Sequence, residues 1–344
     1  MLGQGGRAMG QSQQCASKCC GQTDGSLDLK QADAAFLAMC DSEAALVETQ
    51  GAAASSAPAL QEGRSSKSPS YFDREIEELR RSLGAKAPGA QEQRETYHFR
   101  SGATYTGQWR GYTRHGFGVQ RWPDGAVYEG QWAANRAEGR GRFAHSDGDA
   151  YIGEWKGNVA HGFGVYYHKD LTKYEGEWRN DLQEGFGVEC WSEGSRFEGS
   201  FRGGQKEGRG VYVWPDGSEY QGSWRGNSIN GQGTYVGCDG RWFKGQWQES
   251  VIHGIGRYVW QDGRQYVGQY SLDKKDGFGV FSWQDGRKYE GYWLAGKQHG
   301  VGIYETKEGV RRSSLWRDGK RLPDLPADAA ASAPAPAASA PPGV

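Results

Sequence analysis

The chain has 344 residues, and its 41 basic against 42 acidic side chains leave a net charge of −1, which excludes nucleic-acid binding by bulk charge. In place of the aliphatics of a helical bundle it carries 18 Tyr, 14 Trp, 12 Phe and 55 Gly. Aromatics suit a pleated surface and glycine admits close approach between chains, so strands are expected.

Residues 1–94 form a low-complexity segment whose only aromatics are Phe36, Tyr71 and Phe72. No run of about 18 apolar residues occurs, so no membrane-spanning helix is expected. The first residues lack the apolar stretch of a secretory signal. Met9-Gly10-Gln11-Ser12-Gln13-Gln14-Cys15 resembles an N-myristoylation start if translation begins at Met9 rather than Met1, although Cys15 stands where Ser or Thr is expected. With Cys15, Cys19 and Cys20 close behind, Gly10 makes a candidate dual-acylation signal, and two acyl chains anchor stably where one does not. The cysteines show no zinc spacing and no disulfide framework, which points to a reducing, intracellular compartment. The cytoplasm, the cytoplasmic face of a membrane and the cytoskeleton are its candidate places.

Residues 70–83 read as one amphipathic helix, with Phe72, Ile76, Leu79 and Leu83 on a single stripe, Ser70 as N-cap and Gly84 just past the end. Four apolar residues do not hold an isolated helix in water. The segment therefore either docks or stays a marginal linker helix. A weaker helix is expected over 33–48, and linkers over 51–69 and 85–94.

Residues 95–320 are periodic. An aromatic recurs every 23 residues, at Tyr105, Tyr128, Tyr151, Tyr174, Phe197, Tyr220, Phe243, Tyr266 and Tyr289. A glycine follows two residues later, and a second ring four residues later: Trp109, Trp132, Trp155, Trp178, Phe201, Trp224, Trp247, Tyr270 and Trp293. Each copy then carries Gly-x-Gly and ends on an acidic-Gly pair such as Asp124-Gly125; the third copy departs with Asp170-Leu171. Asp-Gly between alternating runs signals a hairpin, because Gly supplies the positive φ of a type I′ turn. A two-residue turn at Asp124-Gly125 would pair Arg121 with Tyr128, Val119 with Gly130 and Phe117 with Trp132 on one face. The other face would then carry Phe143, Tyr166, Tyr212, Tyr235, Tyr258, Phe281 and Tyr304, with Trp122, Trp191, Trp214, Trp260 and Trp283. Arg110 to His115 would be the longer return loop. Two strands per repeat give about twenty strands roughly 4.8 Å apart, each repeat touching only its neighbours. Tyr97-His98-Phe99 before Ser101-Gly102 reads as an incoming half-hairpin, and Leu315-Trp316 before Asp318-Gly319 as a closing strand. Residues 321–344 are rich in Ala and Pro and read as a disordered tail.

The motif Tyr-x-Gly-x-Trp, Gly-x-Gly, Asp-Gly, as in Tyr128-Glu129-Gly130-Gln131-Trp132, resembles the MORN repeat across residues 95–320. The resemblance implies an all-β, elongated, single-layer antiparallel meander of about nine to ten β-hairpin repeats. It also implies a non-enzymatic scaffold or adaptor for protein–protein interaction, at a membrane–cytoskeleton junction or in a cytoskeletal or flagellar assembly. The alternative is direct binding of anionic phospholipid. An accessory fragment of a phosphatidylinositol phosphate kinase-like protein ranks below both.

No catalytic or metal-binding constellation stands out. The Gly-x-Gly units do not continue as nucleotide loops. His115, His161, His253 and His299 share one repeat position with Glu138, Glu184, Glu207, Asn230 and Asp276, as a structural loop position would. No cofactor is expected. The contact surface expected for a protein segment, extended or helical, is the ring face: Tyr105, Trp109, Tyr128, Trp132, Tyr151, Trp155, Tyr174, Trp178, Tyr220, Trp224, Trp247, Tyr289 and Trp293. Arg110, Lys156, Arg179, Arg202 and Arg225 form a candidate basic rim for membrane lipid. A homodimer is compatible with the sequence; a nucleic-acid partner is not expected.

Overall fold

Two kinds of turn cut every repeat into two strands, and each owes its shape to residues that accept positive φ. The first is a two-residue link. Ala133 pairs with Arg136 across Ala134 (φ 48°) and Asn135 (φ 69°). Two positive centres make a type I′ turn, whose twist suits the flanking strands. The second link has three residues. Gly125 N–H donates to Trp122 O at 3.0 Å, Trp122 N–H donates to Ala126 O at 2.9 Å, and Gly125 sits at φ 95°. This is a turn closed by a left-handed glycine. The Asp124 carboxylate accepts from Ala126 N–H at 3.1 Å, which stiffens the link.

The computed structural model describes residues 71–81 and 89–323. They form a 3-10 turn (Tyr71–Asp73), a short helix α1 (Ile76–Arg81) and twenty-one strands, from β1 (Gln91–His98) to β21 (Lys320–Arg321). The chain divides into two units, one ending at Gly204 and the other beginning at Gln205 for the described residues. In the first unit, β1 to β10 (Arg196–Arg202) form an antiparallel meander in which each strand pairs with the next. The second unit repeats the pattern from β11 (Gln205–Val213) to β21. The all-β meander of hairpin repeats is thus present. Strand β1 begins at Gln91, inside the stretch expected to be a linker, and pairs with β2 (Thr104–Arg110). The expected entry hairpin and closing strand both form.

The register differs from expectation by one residue. Gln120 faces Tyr128, Gly118 faces Gly130 and Gly116 faces Trp132. The turn at Asp124-Gly125 is one residue longer than a type I′ link, and the stretch from Arg110 to Thr113 is the tight turn instead. A one-residue slip sends side chains to the opposite face. Phe117 is accordingly 52% exposed while Trp132 is 2% exposed. The two aromatic sets expected on opposite faces share one, since Tyr151 pairs with Phe143 on one side and Tyr166 on the other.

That shared face holds the core. Tyr128 lies 4.9 Å from Trp132 and 5.3 Å from Trp155, edge-on to both, so each Tyr bridges its own Trp and the next. Tyr266 does the same between Tyr270 (5.1 Å) and Trp293 (5.3 Å). Such pairs contribute about 0.5–1.5 kcal/mol each beyond area burial. Tyr128 Oη donates to Gln131 O and Trp132 Nε1 to Gly118 O, so the polar ends of these two rings are satisfied. The paired glycines make room for the tyrosines. Gly176 faces Gly187, and a Cβ on Gly176 would lie 2.6 Å from the Gly187 Cα and 2.7 Å from the Tyr174 Oη.

Three side-chain positions stitch the strands. Gln108 Oε1 accepts from Phe117 N–H at 2.8 Å, spanning a bulge opposite Gln108, and Gln131, Glu177, Gln246 and Gln269 repeat the contact. Asn135 Oδ1 accepts from Arg114 N–H, and Asn158, Asp181, Asn227, Ser250 and Asp273 act alike, tying each type I′ turn to the hairpin before it. The position that holds histidine in four repeats makes a third stitch where it is acidic. Glu138, Glu184, Glu207 and Asp276 there accept from the first amide of the following turn, at Gly157, Gly203, Gly226 and Ala295.

Candidate functional site: a ring-lined face and its docked segment

In the first unit, residues 71–81 lie across the ring face. The Phe72 ring is 5.1 Å from Tyr128, 5.4 Å from Trp155, 5.5 Å from Phe143, 5.7 Å from Trp122 and 5.9 Å from Trp132. Phe72 and Leu79 are buried in the core of the array and Ile76 is half-buried, so two of the four stripe residues carry the docking. Ser70, Leu83 and Gly84 lie outside the described residues. Within the described residues the α-helix covers Ile76–Arg81, and Tyr71–Asp73 adopts the tighter 3-10 form in place of the expected first helical turn.

Polar contacts fix the register of this segment. Glu75 is buried; its Oε2 accepts from Trp122 Nε1 at 3.2 Å and its Oε1 from Ser101 Oγ at 3.1 Å. Arg114 is wholly buried, with its guanidinium carbon 4.3 Å from the Trp132 ring centre. It donates to Phe72 O at 3.3 Å, Asn135 O at 3.1 Å and Gln120 Oε1 at 3.0 Å. Burial pushes its pKa down to about 10, against the opposing pull of Glu75, Tyr105 and Asp73. Asp73 accepts from Asn158, Arg74 pairs with Asp124 at 3.7 Å, and Glu78 accepts from Arg100 N–H. The ring face thus binds aromatic, aliphatic and carboxylate groups on one short helical segment.

The thirteen expected contact aromatics form the floor of this face. All are buried except Trp178, which is half-buried. The rings that reach solvent are a second tier, among them Tyr258, Trp260, Trp283 and Tyr304 of the second unit. Sequence reasoning assigned that tier to the opposite face and missed its role. It also missed Glu75 and Arg114; a buried-charge pair separated by most of two repeats leaves no periodic signal.

The outer face is the reverse of each sheet. It exposes the central residue of many Gly-x-Gly units, including Phe117, Phe163 and Phe186 in the first unit and Ile255, Phe278 and Val301 in the second. In the second unit Gln232, Lys244, Ile255 and Val267 line a shallow depression there.

The basic residues Arg110, Lys156, Arg179 and Arg202 are exposed at the strand ends of the first unit that lead into the two-residue turns, and Arg225 holds the same repeat position in the second. They share those rims with acids: Glu138 and Glu184 in the first unit and Glu207 in the second hold turn amides there. Gly10, Cys15, Cys19 and Cys20 lie outside the described residues. Among the described residues, no group of three or more His, Cys, Asp and Glu is placed to hold a metal ion. No described helix is long and apolar enough to cross a membrane.

Comparison with known proteins agrees with the repeat geometry. The MORN repeat family model matches nine times in succession, from residues 105–127 through 289–311. No curated protein sequence matches. Solved structures with some likeness include the G-box domain of the microcephaly protein CPAP, at 14% identity and TM-score 0.34, covering 59% of this chain and 100% of that one. A mutant TCP10 domain of Danio rerio CPAP aligns at 13% identity and TM-score 0.25, over 68% and 100% of the two chains. The TCP domain of SAS-4 from Drosophila melanogaster, solved with a proline-rich motif of Ana2, aligns at 13% and 0.25, over 60% and 96%. Scores this low carry no inference about function. With nine matched repeats spanning the two-turn hairpins and the Tyr–Trp floor described above, the chain belongs to the MORN-repeat family.

Proposed function

We propose that the chain is a non-enzymatic scaffold that binds protein partners through the ring-lined face of its repeats. The observation that carries this reading is the seating of Phe72, Glu75 and Leu79 on that face, a bound helical segment within the chain itself. It supplies the three things a peptide groove needs: apolar pockets, a satisfied charge and hydrogen bonds that set register. The place we propose for the scaffold is a membrane–cytoskeleton junction, with Gly10, Cys15, Cys19 and Cys20 as the acylated anchor. Direct binding of anionic lipid by the rim is the weaker reading, because acidic residues share the rim with Arg110, Lys156, Arg179, Arg202 and Arg225.

Photo-cross-linking of the full chain tests the scaffold. A photoreactive residue at Tyr304, on the ring face, is expected to capture a defined partner that one at Ile255, on the outer face, does not. Capture from Ile255 alone would move the function to the outer face. Cell fractionation tests the anchor: Gly10→Ala, or Ser at Cys15, Cys19 and Cys20 together, is expected to release the protein from membranes. Retention of these variants with loss in high salt would promote the basic rim instead.

A further inference from the structure

The site that holds residues 71–81 has a counterpart seven repeats further on. Lys275 stands at the repeat position of Arg114. Trp283, Trp293 and Tyr304 stand at those of Trp122, Trp132 and Phe143, three of the rings that surround Phe72. The central floor ring is alike in both places: Tyr128 and Tyr289 are each fully buried between two Trp rings, although Trp316 is half-buried where Trp155 is buried. The upper tier differs. Trp122 and Phe143 are 4% and 3% exposed under the docked segment, whereas Trp283 and Tyr304 are half-buried.

Lys275 is held in a cage of rings. Its Nζ lies 5.0 Å from the ring centre of Trp260, 5.1 Å from Trp293, 5.2 Å from Phe281 and 5.5 Å from Tyr266. Among the described residues no carboxylate pairs with it. Asp262 is taken by Arg264 through its side chain and backbone amide. Burial and the neighbouring Arg264 both disfavour its charge. In the first unit the equivalent cation has its anion delivered by the docked segment, as Glu75.

We propose that the cradle around Lys275 is a second docking site, which takes a short acidic, aromatic helical segment of a partner protein. The segment has an aromatic ring, a carboxylate three residues on and an aliphatic four residues beyond that, the spacing of Phe72, Glu75 and Leu79. The ring seats among Trp283, Trp293 and Tyr304, and the carboxylate pairs with Lys275. Charge complementarity selects the occupant: an apolar or basic helix would leave the Lys275 ammonium without an anion. This inference rests on the scaffold reading above.

The probe is a synthetic peptide of residues 68–83, titrated calorimetrically into the full chain, whose first cradle is already filled. One peptide per chain is expected to bind, and replacing its Glu75 by Gln should weaken binding at least tenfold. Lys275→Gln in the chain should do the same. That variant should fold, because Gln183 and Gln298 occupy the same repeat position, and an unchanged thermal melt checks it. Binding indifferent to Lys275→Gln would overturn the proposal, since the peptide would then be exchanging with the segment at Arg114. Self-association of the full chain that Lys275→Gln abolishes would also overturn it, making a second copy the occupant. A chain carrying Phe72→Ala and Leu79→Ala, with its first cradle open, separates the two readings. Peptide binding to that chain but not to the parent leaves the scaffold standing and removes the Lys275 site. Binding to neither overturns both.

Discussion

Trp122 and Phe143 of the first unit are closed off from solvent, whereas their counterparts Trp283 and Tyr304 in the second are half-open, although the floor tyrosines beneath, Tyr128 and Tyr289, are fully buried in both. The array therefore completes its own floor. Each Tyr is covered by the second ring of its own repeat and of the next. The upper tier is different: the segment across Trp122 and Phe143 closes them, Trp283 and Tyr304 stay half-open, and Tyr212 and Phe281 are buried among neighbouring rings. Stability thus lives in the floor, and binding capacity in the tier above it.

The sharpest way to break that comparison is Phe72→Ala. Removing a ring that touches five others has a full-burial cost of about 3–5 kcal/mol. Hydrogen exchange should show residues 71–81 losing protection by about a hundredfold or more, with Trp122 becoming more exposed by fluorescence quenching. Amides from 265 to 305 should not change. If the first-unit floor melted as well, the segment would be part of the fold rather than a ligand of it.

Gly176→Val and Gly268→Val test the opposite limb, that the floors are equivalent. Each new Cβ would lie 2.5–2.6 Å from the facing glycine Cα and 2.6–2.7 Å from a tyrosine Oη. Overpacking of this kind costs about 1–3 kcal/mol. Denaturant melts should show similar losses in the two variants. A loss in one variant alone would mean that the glycine pairs of the two floors are not equivalent.

Much of this was legible in the sequence, and the misses have a physical pattern. The 23-residue period carried the hairpins, the paired glycines and the floor rings. The stripe of Phe72, Ile76 and Leu79 carried the docking reading. The register was hidden because Asp124-Gly125 has the composition of a type I′ turn yet sits in a three-residue link. The true type I′ positions vary, from Ala134-Asn135 to Glu249-Ser250 and Leu272-Asp273. What these positions share is positive φ, and backbone conformation is not printed in residue type. One residue of slip then exchanged the faces, so the upper ring tier was misplaced with it. Glu75 and Arg114 escaped because their meeting depends on where a non-repeating segment comes to rest.

Alkali sharpens the claim that the floor is common to both units. Burial raises the pKa of Tyr289 to about 12, and those of Tyr105, Tyr128, Tyr151, Tyr174, Tyr220 and Tyr266 further. A folded pKa above the unfolded value of about 10 means stability that is complete below pH 10 and lost as pH climbs toward the folded value, by up to about 1.4 kcal/mol per tyrosine per pH unit. Phenolate absorbance should lag and then rise together with loss of structure, and protection should fall in both units. Phe197 and Phe243 already fill the same position without a hydroxyl, so Tyr266→Phe should fold. It should raise the alkaline midpoint slightly. Early, gradual ionisation in the folded state would show that the floor is open to solvent.

The smallest effect is expected at the rim. Arg179 is exposed, and its contact with Glu184 spans 3.9 Å between side chains that are 69% and 32% exposed. Pairs like this add little, because water screens the attraction and two long side chains lose freedom in forming it. Arg179→Ala should therefore change stability by less than about 0.5 kcal/mol, and Arg225→Ala in the second unit should behave the same way. Thermal melts of both variants check this, alongside sedimentation with vesicles of phosphatidylserine and phosphatidylcholine. Each rim alternates basic side chains with carboxylates that hold turn amides, so the unacylated chain should bind such vesicles weakly and lose little on either substitution. A several-fold drop in vesicle binding from Arg179→Ala, without a change in melting, would assign the rim a lipid contact that its mixed charge argues against.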